Sequence, residues 1–468
     1  MTNDLDRDKL VTCVALAVVI AATGLLAQRP GEATLAEAEA AVAAEFAKSG
    51  APGAAVALVV GAEVVWAKGY GVANADTGAP VTPDTLFQIG SVTKTFTAAA
   101  LLSASTKKVV ALDRPVSTYV SGLVPCAGAP TLAQLLSHTG GIIDEPAEFG
   151  PQGEDGLGAY QRTWTSEYCM LPPGRAFSYS NSGYALAGLA LQEAEKTPFA
   201  DVMRARVLAP LGMTRTTFRP TEAMTWPLAV GHRRDKEGKF TVVRPLANDA
   251  RLWPAGTMYS SANEMARFAQ ALLGDGRVPG APGLPAGVVG RMRAELAEIP
   301  TTAQHYGLGL FHTAGKFGHG GTMTGYVAQL DVDPAAHLAV VVLTNGDNAN
   351  PTAMAEAART LGLALQDKVE PQHTDGTKSA AVTTTGEVAP YVGTYRNPRR
   401  FTVEVVRQGE SLVLRRFGRD FPMRYASPGR FLVDRPRGGT ETIAFGIGPD
   451  GRADYLQMNV WALARVTP

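Results

Sequence analysis

What this chain lacks is net charge. Its 468 residues hold 43 Lys and Arg against 43 Asp and Glu, and charged residues make up only 18% of the sequence. A balanced chain sets up no field that would draw nucleic acid or an anionic surface, so nucleic acid is not expected as a partner. Cysteine is scarce, at three residues, and no Cys/His spacing resembles a zinc site. No internal repeat is visible. Nor is the composition that of a disordered chain. Hydrophobic residues reach 46%, enough for a large core and two domains, while 50 glycines and 31 prolines imply many turns.

One long uncharged run is present, at the N-terminus. Arg7 and Lys9 precede a stretch from Leu10 to Ala27 without a charge. It reads as an export signal, with small residues for processing at Ala22 and Gly24 or at Gly31 and Ala33, or as an uncleaved anchor just long enough to span a bilayer. Asp4, Asp6 and Asp8 offset the basic start. Either reading sets residues 1–30 apart as signal peptide or membrane anchor and places the rest outside the cytoplasm, periplasmic or extracellular. There, Cys126 and Cys169 either form a disulfide or stay as two separate buried thiols, and the sequence does not choose.

After this start, residues 34 to 48 have helical spacing, and Gly50-Ala51-Pro52-Gly53 ends them. Ala54 to Val60 and Glu63 to Lys68 read as a hairpin turning at Gly61-Ala62. Helices are expected after Ser91, at Leu132 to Leu136, at Gly183 to Lys196, at Ala262 to Leu273 with Ser260 or Ser261 as cap, and at Ala353 to Leu365. Strands are expected at Tyr326 to Val332 and His337 to Leu343. A hairpin, then helices, then late strands suggest one sheet built from both ends of this region. Glu370 to Gly386 is polar and aperiodic, a linker. Beyond it Tyr391–Tyr395, Phe401–Val406, Ser411–Arg415, Arg430–Val433, Glu441–Ile447 and Asp454–Val460 read as short strands of a small antiparallel barrel or sandwich.

The chemistry starts at Ser91-Val92-Thr93-Lys94. Gly90 breaks the preceding segment and an apolar helical run follows, so Ser91 is expected to open a helix with Lys94 nearly one turn on, on the same face. An amine beside a hydroxyl at a helix N-terminus can take its proton, and the free N–H groups there can hold an oxyanion. The same pattern at Ser105 to Lys108 reads better as a solvated helix end. A second cluster surrounds Tyr179 and Asn181, between a turn at Pro173-Gly174 and a capped helix. A tyrosine whose pKa is lowered by an ammonium can act as a base, and an asparagine amide can hold both a lysine and a substrate carbonyl. A third cluster, Gly318-His319-Gly320-Gly321-Thr322, offers close backbone approach along a strand edge. His138 and His305 are read as structural.

The order and flanks of these motifs resemble the serine beta-lactamase-related family. They are Gly90-Ser91-x-x-Lys94-Thr95, Leu135-Leu136-Ser137-His138-Thr139-Gly140-Gly141, Phe177-Ser178-Tyr179-Ser180-Asn181-x-Gly183-Tyr184, Pro254-Ala255-Gly256 with Ser260 to Phe268, and Gly318-His319-x-Gly321. The family includes class C beta-lactamases, D-alanyl-D-alanine carboxypeptidases, D-amino-acid peptidases and esterases, and the resemblance covers roughly residues 35 to 366. It implies an α+β fold, an antiparallel sheet flanked by helices with a helical subdomain, over a catalytic domain at 34–367. A linker at 368–386 leads to a barrel at 387–468 that resembles a lipocalin-like C-terminal domain.

The resemblance also implies roles. Ser91 is the acylated nucleophile, Lys94 and Tyr179 share acid and base work, and Asn181 positions Lys94 and the substrate amide. The backbone N–H groups of Ser91 and Thr322 form the oxyanion hole beside Gly321. No cofactor and no metal is needed. His319 stands where other members carry lysine. Partly charged near neutral pH, it holds a substrate carboxylate less firmly, which lowers the weight on a dedicated beta-lactamase. The expected activity is hydrolysis of a small-molecule ester or a D-amino-acid peptide. A beta-lactamase or a non-hydrolytic penicillin-binding module is the alternative, and the oligomeric state is left open.

Overall fold

The computed structural model describes residues 30–366 and 388–466, apart from 124, 125, 127, 146, 147 and 437. The apolar run at 10–27 and the linker at 368–386 lie outside the described residues. Among those described, no helix is long and apolar enough to cross a membrane.

The chain opens with α1 (Pro30–Lys48), then β1 (Gly53–Val60) and β2 (Glu63–Asn74), which turn on each other at Gly61, φ +60°. β2 runs well past Lys68. Its glycines let a neighbour lie close, since a Cβ on Gly69 would stand 2.2 Å from the Val81 carbonyl oxygen. A short β3 (Ala79–Pro80) pairs with β2. Helices α2 (Thr93–Thr106), α3 (Leu132–Leu136), α4 (Asn181–Glu195) and α5 (Ala262–Leu273) follow. Ser261 caps α5 by accepting from the Glu264 N–H. Six more strands complete the sheet: β4 (Ala297–Glu298), β5 (His305–Tyr306), β6 (Phe311–Thr313), β7 (Lys316–Met323), β8 (Tyr326–Asp333) and β9 (Leu338–Thr344). The helix α6 (Pro351–Ala364) closes the unit.

The sheet order is β3-β2-β1-β9-β8-β7-β6-β5-β4, so the first hairpin and the last strands meet at β1 and β9. Their register sets Ala55 opposite Leu343 and Ala57 opposite Val341. Side chains alternate across a strand, and both faces of these two are covered. Ala54, Val56 and Leu58 join Leu338, Val340 and Val342 under α1 and α6. Ala55, Ala57 and Val59 join Ala339, Val341 and Leu343 in the larger core against α2, α4 and α5. Fully burying each large aliphatic side chain stabilises by about 1.5–3 kcal/mol. A charged residue at any of these β1 positions would therefore break the link between the chain ends.

The C-terminal part is a closed antiparallel barrel of eight strands in sequential order. They are β10 (Gly393–Asn397), β11 (Phe401–Gln408), β12 (Ser411–Arg416), β13 (Arg419–Ser427), β14 (Arg430–Asp434), β15 (Thr440–Ile447), β16 (Ala453–Met458) and β17 (Trp461–Arg465). Tyr395 opposite Arg465 closes it. Sequence reading expects six strands here. It misses β13, whose charged residues and Pro422 disguise a strand that pairs Pro422 with Val413. It also carries its last strand, Asp454–Val460, past the end of β16 through the turn at Asn459, φ +51°, and misses β17.

The two cysteines left open by the sequence are joined. Cys126 and Cys169 form a disulfide with Cα atoms 5.3 Å apart, 43 residues apart in sequence. Closing a loop of that length limits the unfolded chain by about 4 kcal/mol in the chain-entropy account. The Cys126→Ala, Cys169→Ala double variant is therefore expected to lose about 2–4 kcal/mol in urea unfolding. Reductant should lower the midpoint of the parent and leave the variant unmoved.

Candidate active site

Ser91 opens its helix through a turn rather than as the first α-helical residue. Gly90, at φ +53°, starts a single 3₁₀ turn over Gly90–Val92, and α2 begins only at Thr93. The turn keeps Ser91 and Lys94 on one face. Lys94 is fully buried and spends its three donors on three acceptors. Nζ donates to Ser91 Oγ at 2.9 Å, to Asn181 Oδ1 at 2.6 Å and to the Ala255 carbonyl at 2.7 Å. The Ala255 carbonyl comes from the short helical turn Trp253–Gly256.

Burial pushes the Lys94 amine down to about 7, against the opposing pull of Asp144. The hydrogen-bond set suits both protonation states. As ammonium, Lys94 donates three times; as amine, it donates to Asn181 and Ala255 and accepts the Ser91 proton.

Asn181 and Tyr179 sit at the start of α4. Ser180 caps that helix by accepting from the Gly183 N–H at 2.9 Å, which leaves Asn181 as its first residue. Asp144 Oδ1 accepts from the Asn181 backbone N–H at 2.8 Å and from Nδ2 at 3.0 Å, so the amide oxygen is turned toward Lys94. The Tyr179 ring lies 4.9 Å from Lys94 Nζ, and its hydroxyl interacts with Ser91. Here the expectation of a lowered tyrosine pKa is corrected. Desolvation pushes the phenol well up, and the Ser91 contact only partly offsets it. The raised pKa holds the phenol in its protonated form beside Ser91. His138 props the ring, with centroids 4.2 Å apart, while its Nδ1 accepts from the Ser180 N–H at 3.0 Å. His305 lies away from this cluster, beside Glu295.

The third motif meets the first along a strand edge. β6 pairs with β7 no further than Gly318, so His319 to Met323 are free to face Ile89–Ser91. The approach is as close as backbone allows. A Cβ on Gly321 would lie 2.0 Å from the Ile89 carbonyl oxygen and 3.0 Å from Ser91 N, and one on Gly90 would lie 2.4 Å from Thr322 N. The Ser91 and Thr322 amides are thereby brought side by side.

His319 also requires a correction. It is not partly charged. It is 3% exposed, and burial next to Lys94 holds its pKa down at about 3. Nδ1 donates to the Gly320 carbonyl at 2.5 Å, and Nε2 accepts from the Tyr306 hydroxyl at 3.0 Å. It is a neutral wall of the site.

All seven residues singled out from sequence therefore converge: Ser91, Lys94, Tyr179, Asn181, His319, Gly321 and Thr322. Sequence reading missed Asp144, Tyr306 and the Ala255 carbonyl. Pro254-Ala255-Gly256 was visible as a motif, but its carbonyl role was not; Asp144 and Tyr306 gave no local signal. Among the described residues no cluster of His, Cys, Asp and Glu is placed to hold a metal ion. The barrel completes the wall. The Tyr179 N–H donates to the Val460 carbonyl at 2.8 Å, and Val460, Tyr179 and Phe311 all pack against the apolar cluster of Phe177 and Tyr306.

Known proteins resemble the part of the chain that carries this site. The beta-lactamase family model matches residues 38–365. Penicillin-binding protein 4 of Amycolatopsis lactamdurans is 28% identical over 319 residues, which is 63% of this chain and 81% of that protein. The crystal structure of SurE with D-Leu matches at a TM-score of 0.71 and 26% identity, over 93% of this chain and 99% of that one. A D-stereospecific amidohydrolase from Streptomyces sp. matches at a TM-score of 0.53 and 26% identity, over 69% and 98% of the two chains.

Gly321→Ala tests the close approach. The added methyl must displace Ile89 or Ser91, so reaction of Ser91 with a nitrophenyl ester is expected to fall by about 10²-fold or more, the order seen when an oxyanion donor is lost. Circular dichroism should show the fold retained. Unchanged reactivity would mean that the two backbones are not held in this contact.

Proposed function

Because the chain belongs to the beta-lactamase family, we propose that it is an exported serine hydrolase that cleaves small esters or D-amino-acid peptides through an acyl-enzyme on Ser91. The observation that carries this reading is the buried Lys94 amine, held near 7 and aimed at the Ser91 hydroxyl at 2.9 Å. The Streptomyces amidohydrolase and the SurE complex with D-Leu support the D-amino-acid class. The disulfide between Cys126 and Cys169 suits an oxidising compartment and supports export.

In the mechanism, the neutral Lys94 amine takes the Ser91 proton as Oγ bonds to the substrate carbonyl carbon. The carbonyl oxygen becomes an oxyanion held by the Ser91 and Thr322 N–H groups. Asn181 keeps the lysine in line and offers its amide edge to the substrate. As the tetrahedral species collapses, the leaving oxygen or nitrogen takes a proton from the Tyr179 hydroxyl, which is replenished from Lys94. Water then attacks the acyl carbon, gives its proton to Lys94, and Ser91 departs with a proton. The catalytic unit at 34–367 and the barrel at 387–468 act together in this scheme, since the Val460 carbonyl accepts from the Tyr179 N–H.

A neutral His319 bears on substrate choice. It presents no cation to a lactam carboxylate, which favours esters and peptides over dedicated beta-lactam hydrolysis.

A panel of nitrophenyl esters, D-alanyl peptides and nitrocefin on one sample tests the reading. Ester or D-peptide turnover is expected to exceed nitrocefin turnover. Labelling by a fluorescent penicillin or an ester should vanish in Ser91→Ala, and labelling that survives rejects Ser91 as nucleophile. The pH profile has a required sign. Lys94 must be unprotonated to act, so kcat/KM should rise through about pH 7 and fall roughly tenfold per unit below it. A rate flat from about pH 5 to about pH 8 would remove Lys94 as the base.

A further inference from the structure

The barrel reaches the site at a second point. Arg400 stands just before β11, with its guanidinium 4.2 Å over the Trp461 ring. Its Nη2 donates to Asp144 Oδ2, and the Asp144 side chain is fully enclosed while that of Arg400 is 21% exposed. The other Asp144 oxygen accepts from the Asn181 N–H and Nδ2, the Asn181 oxygen accepts from Lys94, and Lys94 donates to Ser91. Five side chains thus form an unbroken run of direct contacts from barrel to nucleophile.

The run poses an electrostatic problem. Asp144 is an enclosed carboxylate acting on an amine that must shed its proton. The other groups around that amine do not offset it. Tyr179 and Tyr184, with ring centroids 4.9 and 5.6 Å from Nζ, stay protonated. His138 and His319 are held uncharged by burial, Tyr306 behind them keeps its proton, and the turn Trp253–Gly256 offers only the Ala255 carbonyl. Arg400 is the cation in contact with the carboxylate.

We propose that Arg400 is a positioning residue supplied by the barrel: it balances the Asp144 charge, fixes the Asn181 amide, and so lets Lys94 serve as base. The inference rests on the acyl-enzyme reading given above. Docking of the barrel then becomes a condition of proton transfer in the other half of the molecule. The dock is substantial, since Arg175 also binds Asp454 with two bonds of 2.7 Å and Thr301 Oγ1 donates to the Asn459 carbonyl at 2.6 Å.

The test is the pH profile of the nitrophenyl-ester burst in the full chain. Arg400→Met leaves Asp144 unbalanced, so the acid limb is expected to move up by about one pH unit. That is a roughly tenfold loss on the acid side, recovered at high pH. Arg400→Lys should keep the limb near the parent's. The Arg400→Met, Asp144→Asn double variant should bring it back, because the carboxylate is gone and the amide can still accept from Asn181. Arg400→Gln substitutes for Arg400→Met if the latter fails to fold by circular dichroism.

A limb that stays in place, or an equal loss at every pH, overturns the proposal while the acyl-enzyme reading stands. A parent protein that gives no burst and no Ser91 labelling overturns both.

Discussion

Everything in this site follows from the burial of one amine. Lys94 is enclosed on α2 and can exist there only because three acceptors meet it: Ser91 Oγ, Asn181 Oδ1 and the Ala255 carbonyl. A buried ammonium without them would be prohibitively costly. Each acceptor is placed by a different element. The Gly90 turn places Ser91, the capped start of α4 places Asn181, and the turn Trp253–Gly256 places Ala255. The helices gathered against the sheet by the large core are therefore a frame for one nitrogen. A shift in any of them would strand a donor or an acceptor out of water.

The same frame explains why the sheet is built from both chain ends. β7 must lie flush against the Gly90 turn for the Ser91 and Thr322 amides to meet, and β7 is held through β8 and β9 to β1. The alternating burial of β1 and β9, one face to each core, fixes that register. A one-residue slip would exchange the two faces and carry the β7 edge away from Ser91.

Much of this was legible in the sequence, and the reasons are local. Leu132–Leu136 is a helix with the bounds its pattern predicts, because Thr131 and Gln134 cap it reciprocally. The hairpin, α5 and the late strands follow their periodicity, and the three motifs converge as their resemblance implies. Ser105, the rival to Ser91, is indeed at a solvated helix end beside exposed Thr106, Lys107 and Lys108. What stayed hidden depends on distance or on burial. Asp144 and Arg400 lie 256 residues apart in sequence, each in a polar loop with no signature. The Ala255 acceptor is backbone and belongs to no side-chain pattern. The charge states of Tyr179 and His319 were misread because a motif gives residue types, while their pKa values are set by how completely neighbours exclude water.

That last point explains how one enclosure sorts the groups by chemistry. Burial brings the Lys94 amine down to about 7 against the pull of Asp144, and burial together with the neighbouring Lys94 brings the His319 imidazole down to about 3, the same direction on both. Acting on the phenol of Tyr179 it works the other way, since there the charged form is the deprotonated one. The outcome differs because the starting points differ. Histidine leaves the working range, tyrosine is held in its protonated form, and lysine alone is brought into it. A histidine in place of Lys94 would be a poor base here, being too weak to hold the serine proton. A lysine in place of His319 would feel the same desolvation and could keep a charge only by reaching solvent or a substrate carboxylate. The identity of the residue at 319 therefore decides whether the wall beside Ser91 can present a cation, and in this chain it does not.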